Sequence, residues 1–384
     1  MNNIKIKNIE KVAERITRAV KNKERIILYG DSDMDGICSV VILEEAIKNL
    51  GGDVFLVVFP DRENDGYGIN LRALDFLKKE APALFITLDL GIGNIKEVEM
   101  ANAIGFEVII IDHHEILNRI PNASLVIDPK QEGDNSKLTH LANVGVTFKL
   151  CEEMLQANLS LNVKNNFLEL VALATISDMV AQIGDNKIFI EEGLRSLKNT
   201  FRPGLRAFLH ILGEGEVVSG GFLKIISSLN AAESQDFKNE SYELLTSSSD
   251  KKCMELAQKL IDKTNYKQQI IKNIVQEMEK RIAQKPNEAI IFEGDPAWKL
   301  TLAGPVASII AAKYQKPTFI YKKMDNESCG SVRSLKEGEN SVDAMKSCAD
   351  ILVTYGGHPK ASGFRVKNEN IEEFKERLNK YFKK

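Results

Sequence analysis

Between Arg25 and Asp128, short β-branched runs alternate with amphipathic helical stretches, and this alternation constrains the fold of the 384-residue chain more than any other feature. RIILYG precedes a helical pattern from about Cys38, DVFLVVF precedes LRALDFLKK, ALFITLD precedes IKEVEMANA, and EVIIID closes the series. Strands repeated at that spacing pair side by side through right-handed crossovers, so the pattern predicts an α/β fold with a parallel sheet covered on both faces. Polar punctuation at PKQEGDNSK leads into patterns near 141–158, 165–180 and 187–213 that complete the first domain. Residues 251–284 contain neither Gly nor Pro and read as one long helix, with eight Lys/Arg against four Asp/Glu. After Pro286 the alternation restarts: AIIFEG, a helix near 304–315, PTFIY, the Gly-Ser segment CGSVRS, a helix from Val342, a GGH turn, and a closing strand and helix. The expected organisation is a parallel-sheet domain over 1–215, a linker with the long helix over 216–285, and a smaller α/β domain over 286–384.

Where that sheet's strands end, the residues become chemical. Asp31-Ser32-Asp33-Met34-Asp35-Gly36 directly follows the first strand, Asp89 ends ALFITLD, and Asp112-His113-His114 ends EVIIID. Ligands of open α/β sheets collect at the carboxyl ends of strands. Three carboxylates within five residues repel one another, and cations relieve that repulsion. Asp178 interrupts an apolar helical stretch and needs a partner if it is buried. Asp33, Asp35, Asp89 and Asp178 together balance two divalent cations, and a histidine among carboxylates favours Mn2+ over Ca2+, with Mg2+ as the substitute. Two such cations are a recurring phosphoryl-transfer device. The chain contains neither G-x-S-x-G nor a Walker P-loop.

Other classes fall away on composition. With 43% apolar and 27% charged residues the chain is neither fibrous nor generally disordered. Five scattered cysteines without a C-x-x-C argue against a disulfide framework or a zinc knuckle and fit a reducing cytoplasm. No membrane-length apolar run or signal-peptide core is present, so a soluble, cytoplasmic protein is expected. A formal charge of −3 excludes a globally basic nucleic-acid binder, while leaving room for a local groove such as the basic long helix. In the second domain, Gly330-Ser331-Val332-Arg333-Ser334 and Gly356-Gly357-His358 read as phosphate-gripping elements, because glycines admit backbone N–H groups and Arg333 offers a planar fork. His140, His210 and Trp298 read as structural.

DSDMDG, Asp89, DHH and Asp178 resemble the ordered motifs of the DHH phosphoesterase superfamily, and GGHPKASG resembles the GGH motif of its DHH-associated C-terminal domain. Within it, FPDRENDGYGI, LANVGVTFKL, ATISDMVAQIGDN, GLRSLKNTFRPGL and GSVRS resemble the RecJ single-strand-specific exonucleases. The resemblance implies a metal-dependent 5′→3′ exonuclease acting on single-stranded DNA or RNA. Asp33 and Asp89 would hold one cation, and Asp35, Asp89, His113 and Asp178 the other. His114 would sit near the phosphate, while Asp31 and Asp112 would orient ligands and fix the histidine tautomer. Arg62, Ser331, Arg333, Gly356, Gly357 and His358 would bind substrate, and a replication or repair partner is compatible with the family.

Three departures qualify that expectation. Tyr29 stands where many superfamily members carry a further metal-ligating histidine. SSLNAAES stands where RecJ proteins read P-R-I-N-A-A-G-R, so both arginines are missing. No oligonucleotide-binding fold is expected after the C-terminal domain. Two alternatives therefore stay open: an oligoribonuclease or cyclic-dinucleotide phosphodiesterase, and a non-catalytic replication-fork scaffold. Oligomeric state is unknown.

Overall fold

In the first apolar runs successive side chains go to opposite sides, and each side finds its own core. The structure, a computed structural model, describes residues 5–117, 119–213, 220–284, 288–336 and 338–383. Helix α1 (Ile9–Asn22) leads into β1 (Ile26–Gly30), α2 (Met34–Asn49), β2 (Leu56–Val58), α3 (Leu71–Leu77), β3 (Leu84–Leu88), α4 (Ile95–Ile104), β4 (Glu107–Ile111) and β5 (Leu125–Ile127). Ile26 and Leu28 of β1, Ile86 of β3 and Ile109 of β4 join a core with α1, α2, α5 (Asn143–Leu155) and α6 (Leu161–Ser177). Ile27 and Tyr29, Phe85, and Val108 and Ile110 join a second core with α3 and α4. All strand pairs are parallel and the order is β2-β1-β3-β4-β5, as the α/β reading requires. After β2 the chain returns to the other side of β1, so the strand order reverses between β1 and β3. A crevice opens at such a reversal, beyond the carboxyl ends of the strands.

Three local expectations are corrected. Helix α2 begins at Met34, not near Cys38, because the Asp33 carboxylate caps it by accepting from the Asp35 and Gly36 N–H groups. The pattern over 187–213 is two helices, α7 (Gly184–Leu197) and α8 (Pro203–Leu212), because Pro203 has no N–H to continue a helix and holds Arg202 extended. GGH lies within a strand and is no turn, as set out below.

The compact units are Met1–Thr264 and Asn265–Lys384. Their boundary falls inside α11 (Asp250–Ala283), which follows α9 (Phe222–Leu229), the short hairpin β6 (Ser234–Gln235) and β7 (Lys238–Asn239), and α10 (Glu240–Thr246). Cys253, Ala257 and Leu260 of α11 belong to the first unit's core, whereas Ile274 and Met278 belong to a core of the second. Residues 220–264, expected as part of a linker, therefore fold with the first unit. The expected boundaries at 215/216 and 285/286 lie outside the described residues.

In the second unit β8 (Ile291–Asp295), α12 (Leu300–Tyr314), β9 (Thr318–Lys323), β10 (Glu327–Arg333), α13 (Ser341–Lys346), β11 (Leu352–His358), β12 (Ala361–Lys367) and α14 (Ile371–Phe382) build a five-stranded sheet of order β11-β12-β10-β9-β8. Only β8 and β9 pair in parallel. β11 and β12 form a hairpin that closes at the His358–Ala361 pair, so the turn is Pro359-Lys360. Gly357 has a φ of 120°, and a Cβ there would lie 2.7 Å from the Ala361 carbonyl, so the second glycine is a steric requirement.

Candidate metal centre and phosphate site

The sheet carries its acidic residues into the crevice one strand at a time. Backbone ladders extend past the strand ends: the Asp31, Asp89 and Asp112 N–H groups donate to Leu88, Ile111 and Ile127. Asp89 itself has a φ of 64°, a left-handed conformation that non-glycine residues adopt at a cost and keep where the surroundings enforce it. The Tyr67 hydroxyl donates to its carbonyl at 3.0 Å.

Around His113 the geometry is that of a cation cage. Its Nδ1 donates to the Leu141 carbonyl at 2.9 Å, so the neutral ring presents an Nε2 lone pair. That nitrogen lies 3.2 Å from Asp89 Oδ1, 3.6 Å from Asp35 Oδ2 and 3.7 Å from Asp178 Oδ2. The Leu141 carbonyl fixes the tautomer of His113, whereas Asp112, expected to fix a histidine tautomer, meets His114. Asp35 gains from a helix N-terminus: its two oxygens accept from the Asn143 and Val144 N–H groups of α5, each at 2.7 Å. Asp178 reaches the cage from the C-terminal end of α6.

Burial, compounded by Asp33 next to it, pushes the Asp35 carboxyl up to about 7. Burial and the neighbouring carboxylates, Asp35 first, raise Asp89 and Asp178 well above the usual range. So many buried carboxylates cannot all ionise without added positive charge. Ligand atoms of Asp35, His113 and Asp178 lie within 4.8 Å of one another, and so do those of Asp31, Asp33 and Asp89. Asp89 touches both groups.

Asp31 is fully buried and carries Arg62, whose Nε donates to Asp31 Oδ1 at 2.8 Å while Nη2 reaches Asp31 Oδ2 and, at 2.8 Å, Asp33 Oδ2. Arg62, expected on substrate, thus neutralises the first acidic pair here. Burial opposes the ionised Asp33, but Arg62 and the Gly36 N–H hold its carboxyl below the usual value.

His114 turns to another partner. Adjacent residues of an extended strand diverge, yet these two rings lie 4.7 Å apart because the chain bends after β4. His114 Nδ1 donates to Asp112 Oδ1 at 2.8 Å, and the Tyr67 hydroxyl lies 3.2 Å from the same nitrogen. Burial disfavours the charged ring, but the Asp112 carboxylate outweighs it and raises the His114 pKa. Asp112 also accepts from the Ile92, His113 and His114 N–H groups, so it is fully committed to orienting this loop.

The departure at Tyr29 is absorbed structurally: its hydroxyl donates to the Gly68 carbonyl at 3.1 Å and its ring packs on Phe85. Sequence reasoning passed over Tyr67, although it lies inside FPDRENDGYGI, and Asp128, which ends LVID as Asp89 ends ALFITLD. Asp128 is fully buried, and burial together with Asp112 pushes its carboxyl up to about 8. The capping of Asp35 by α5 and the Leu141 carbonyl left no signal in residue type.

In the second unit Arg333 pairs with Ala361, and Ala361 with His358, so the three form one row across adjacent strands. Ser331, Gly363 and Gly356 form the parallel row two residues away. Ser331, Arg333, Gly356 and His358 therefore share one sheet face, separated only by Gly363 and Ala361. Gly357 alternates to the other side. Trp298 is buried under the Arg281 guanidinium, 5.1 Å from its ring, as a structural residue should be.

The model of the DHH family N-terminal domain matches residues 25–175, and that of the DHHA1 domain matches 287–384. The chain is 30% identical over 382 residues to the single-stranded-DNA-specific exonuclease RecJ of Bacillus subtilis (strain 168), covering 97% of this chain and 48% of that protein. Among solved structures, an exonuclease RecJ bound to manganese is 27% identical with a TM-score of 0.76, covering 100% of this chain and 96% of that one. RecJ from Thermus thermophilus in complex with Mn2+ is 26% identical with a TM-score of 0.81, covering 99% of this chain and 55% of that one. The chain spans about half the length of the RecJ proteins of Bacillus subtilis (strain 168) and Thermus thermophilus that it matches. Among the described residues, no helix is long and apolar enough to cross a membrane.

Proposed function

We propose that the chain, whose residues 25–175 match the DHH family N-terminal domain and whose residues 287–384 match the DHHA1 domain, is a phosphodiesterase using two divalent cations to degrade single-stranded DNA in the 5′→3′ direction. One observation carries the reading: with Nδ1 committed to Leu141, His113 turns Nε2 toward three carboxylates, one of which, Asp89, also meets Asp31 and Asp33. In this reading Asp33 and Asp89 hold one cation, and Asp35, Asp89, His113 and Asp178 the other. The cations would lower the pKa of a water and offset charge on the phosphoryl oxygens. Mn2+ is the preferred metal, in keeping with an imidazole among carboxylates and with the manganese-bound RecJ structures, and Mg2+ is its substitute.

The chain's own groups do the rest. Tyr67 holds Asp89 in its left-handed conformation, and Asp112 holds the His114 Nδ1 proton, so that Nε2 is the nitrogen that would meet a phosphate oxygen. Arg62 balances Asp31 and Asp33 and, in this reading, also contacts substrate. Ser331, Arg333, Gly356 and His358 grip the strand's phosphates from their shared face, and Gly357, expected among them, shapes the strand that carries His358. RecJ relatives are described as acting on single-stranded DNA, which supports that substrate.

A short-substrate phosphodiesterase is the second reading. The position of the last missing arginine is Ser234, whose hydroxyl donates to Ser32 at 3.2 Å, so no added cation stands beside the acidic loop there. Cleavage of a long 5′-labelled strand compared with a dinucleotide separates the two readings. The metal reading is tested by chelation and by Asp89→Ala. Hydrolysis should stop with chelator, return with Mn2+, and fall further for Asp89→Ala than for Asp35→Ala or Asp178→Ala. Chelator-resistant hydrolysis would overturn it, and a reproducibly worse Asp35→Ala would overturn the shared role of Asp89.

A further inference from the structure

We propose that Ser308 is a positioning residue for Arg333, fixing the plane of its guanidinium inside a clearance that Gly304 leaves open. The inference rests on the reading of Arg333 as a phosphate grip. Ser308 and Gly304 both lie on α12. A serine hydroxyl has one proton, and that of Ser308 goes to the Gly304 carbonyl one turn back, at 3.1 Å. Its oxygen is left to accept, and Arg333 Nε donates to it at 3.1 Å. Arg333 Nη1 donates to the Val332 carbonyl at 2.9 Å. Two acceptors that lie apart, one on the helix and one on the strand, define the plane of a rigid fork.

Gly304 supplies the space. A Cβ at that position would stand 3.0 Å from Arg333 Nη2 and 3.7 Å from Ser331 Oγ. Glycine is disfavoured inside a helix relative to alanine, and clearance for the guanidinium offsets that cost. An arginine on a long flexible stem loses rotamer freedom when it grips a phosphate. Holding it beforehand raises affinity without adding a contact, and a forked donor depends on its plane as a point charge does not.

The test uses the full chain with thymidine 5′-monophosphate as the probe, its dissociation constant measured by calorimetry, alongside KM and kcat on oligothymidylate. Ser308→Ala should raise the dissociation constant and KM by about three- to tenfold, the range for one net hydrogen bond, with kcat and the urea midpoint little changed. Ser308→Thr should restore both values, and Gly304→Ala should raise them as Ser308→Ala does. In an Arg333→Ala background the Ser308→Ala change should have no further effect, since it acts through the guanidinium. If Arg333→Ala weakens binding while Ser308→Ala does not, or if the two losses simply add, the positioning role is wrong and the grip stands. If Arg333→Ala itself changes nothing, the grip and the positioning role fail together.

Discussion

At the scale of the residue, the acidic centre is a set of charges that the fold buries before it neutralises them. Asp35 and Asp178 reach it from helix ends, whereas Asp89 stands at the end of a strand. Asp128 shows the same effect of burial. Its carboxyl is pushed up to about 8 in the folded chain against about 4 when unfolded. Between those values the folded state holds a proton that the unfolded state has released. The associated stability is therefore fully present below about pH 4 and is lost as pH rises through about 8. Asp128→Asn removes that dependence, so melting temperatures of the two proteins should diverge in favour of the variant between pH 5 and pH 9, in about that window. Parallel curves would place the Asp128 proton elsewhere.

At the scale of the element, the long helix α11 is less available than its charge suggests. Its net positive sequence predicted a stripe that could follow a nucleic-acid backbone. Two of its lysines already have partners: Lys259 lies 2.8 Å from Glu240 Oε1, and Lys263 lies 2.6 Å from Glu240 Oε2. Exposed pairs of this kind add little stability, yet a strand phosphate would have to compete with a carboxylate for each ammonium. The double change Lys259→Ala and Lys263→Ala should therefore leave the salt dependence of single-strand binding almost unchanged. Two lost phosphate contacts would instead flatten the log–log slope by about 1.4, and titrations across a salt series distinguish the outcomes.

At the scale of the whole molecule, the proposed metal ligands and the proposed phosphate grip belong to different compact units. Arg333→Ala should accordingly spare Mn2+ binding and the fold of the first unit while lowering hydrolysis. Loss of an arginine–phosphate contact corresponds to about 1.5–3 kcal/mol, or roughly 10- to 150-fold in kcat/KM. With serines at both positions where RecJ proteins carry arginine, little preference for a 5′-phosphate over a 5′-hydroxyl is expected on the same oligonucleotide. A strong preference in the wild type, lost in Arg333→Ala, would mean that Arg62, Ser331 and Arg333 suffice without them.

Much of this was legible before any coordinates. Period-two apolar runs separated by helical patterns determine a parallel sheet, because each run must bury both of its faces. Carboxylates placed just after such runs must then gather along one sheet edge. The glycines and Arg333 of two motifs likewise suggested the phosphate grip that is proposed above. What residue types do not encode is which backbone groups arrive from distant segments. The α5 N-terminus that holds Asp35, the Leu141 carbonyl that sets the His113 tautomer, and the Tyr67 hydroxyl on the Asp89 carbonyl are contacts over long sequence separations, made by groups that every chain carries or that look unremarkable in a loop. The same holds for the helix boundary. Two stretches of α11 have similar polarity, and only packing assigned the first to one core and the second to another. Sequence periodicity determined where the chemistry would stand. Tertiary structure decided how each group is oriented, because orientation depends on hydrogen-bond partners that have no period.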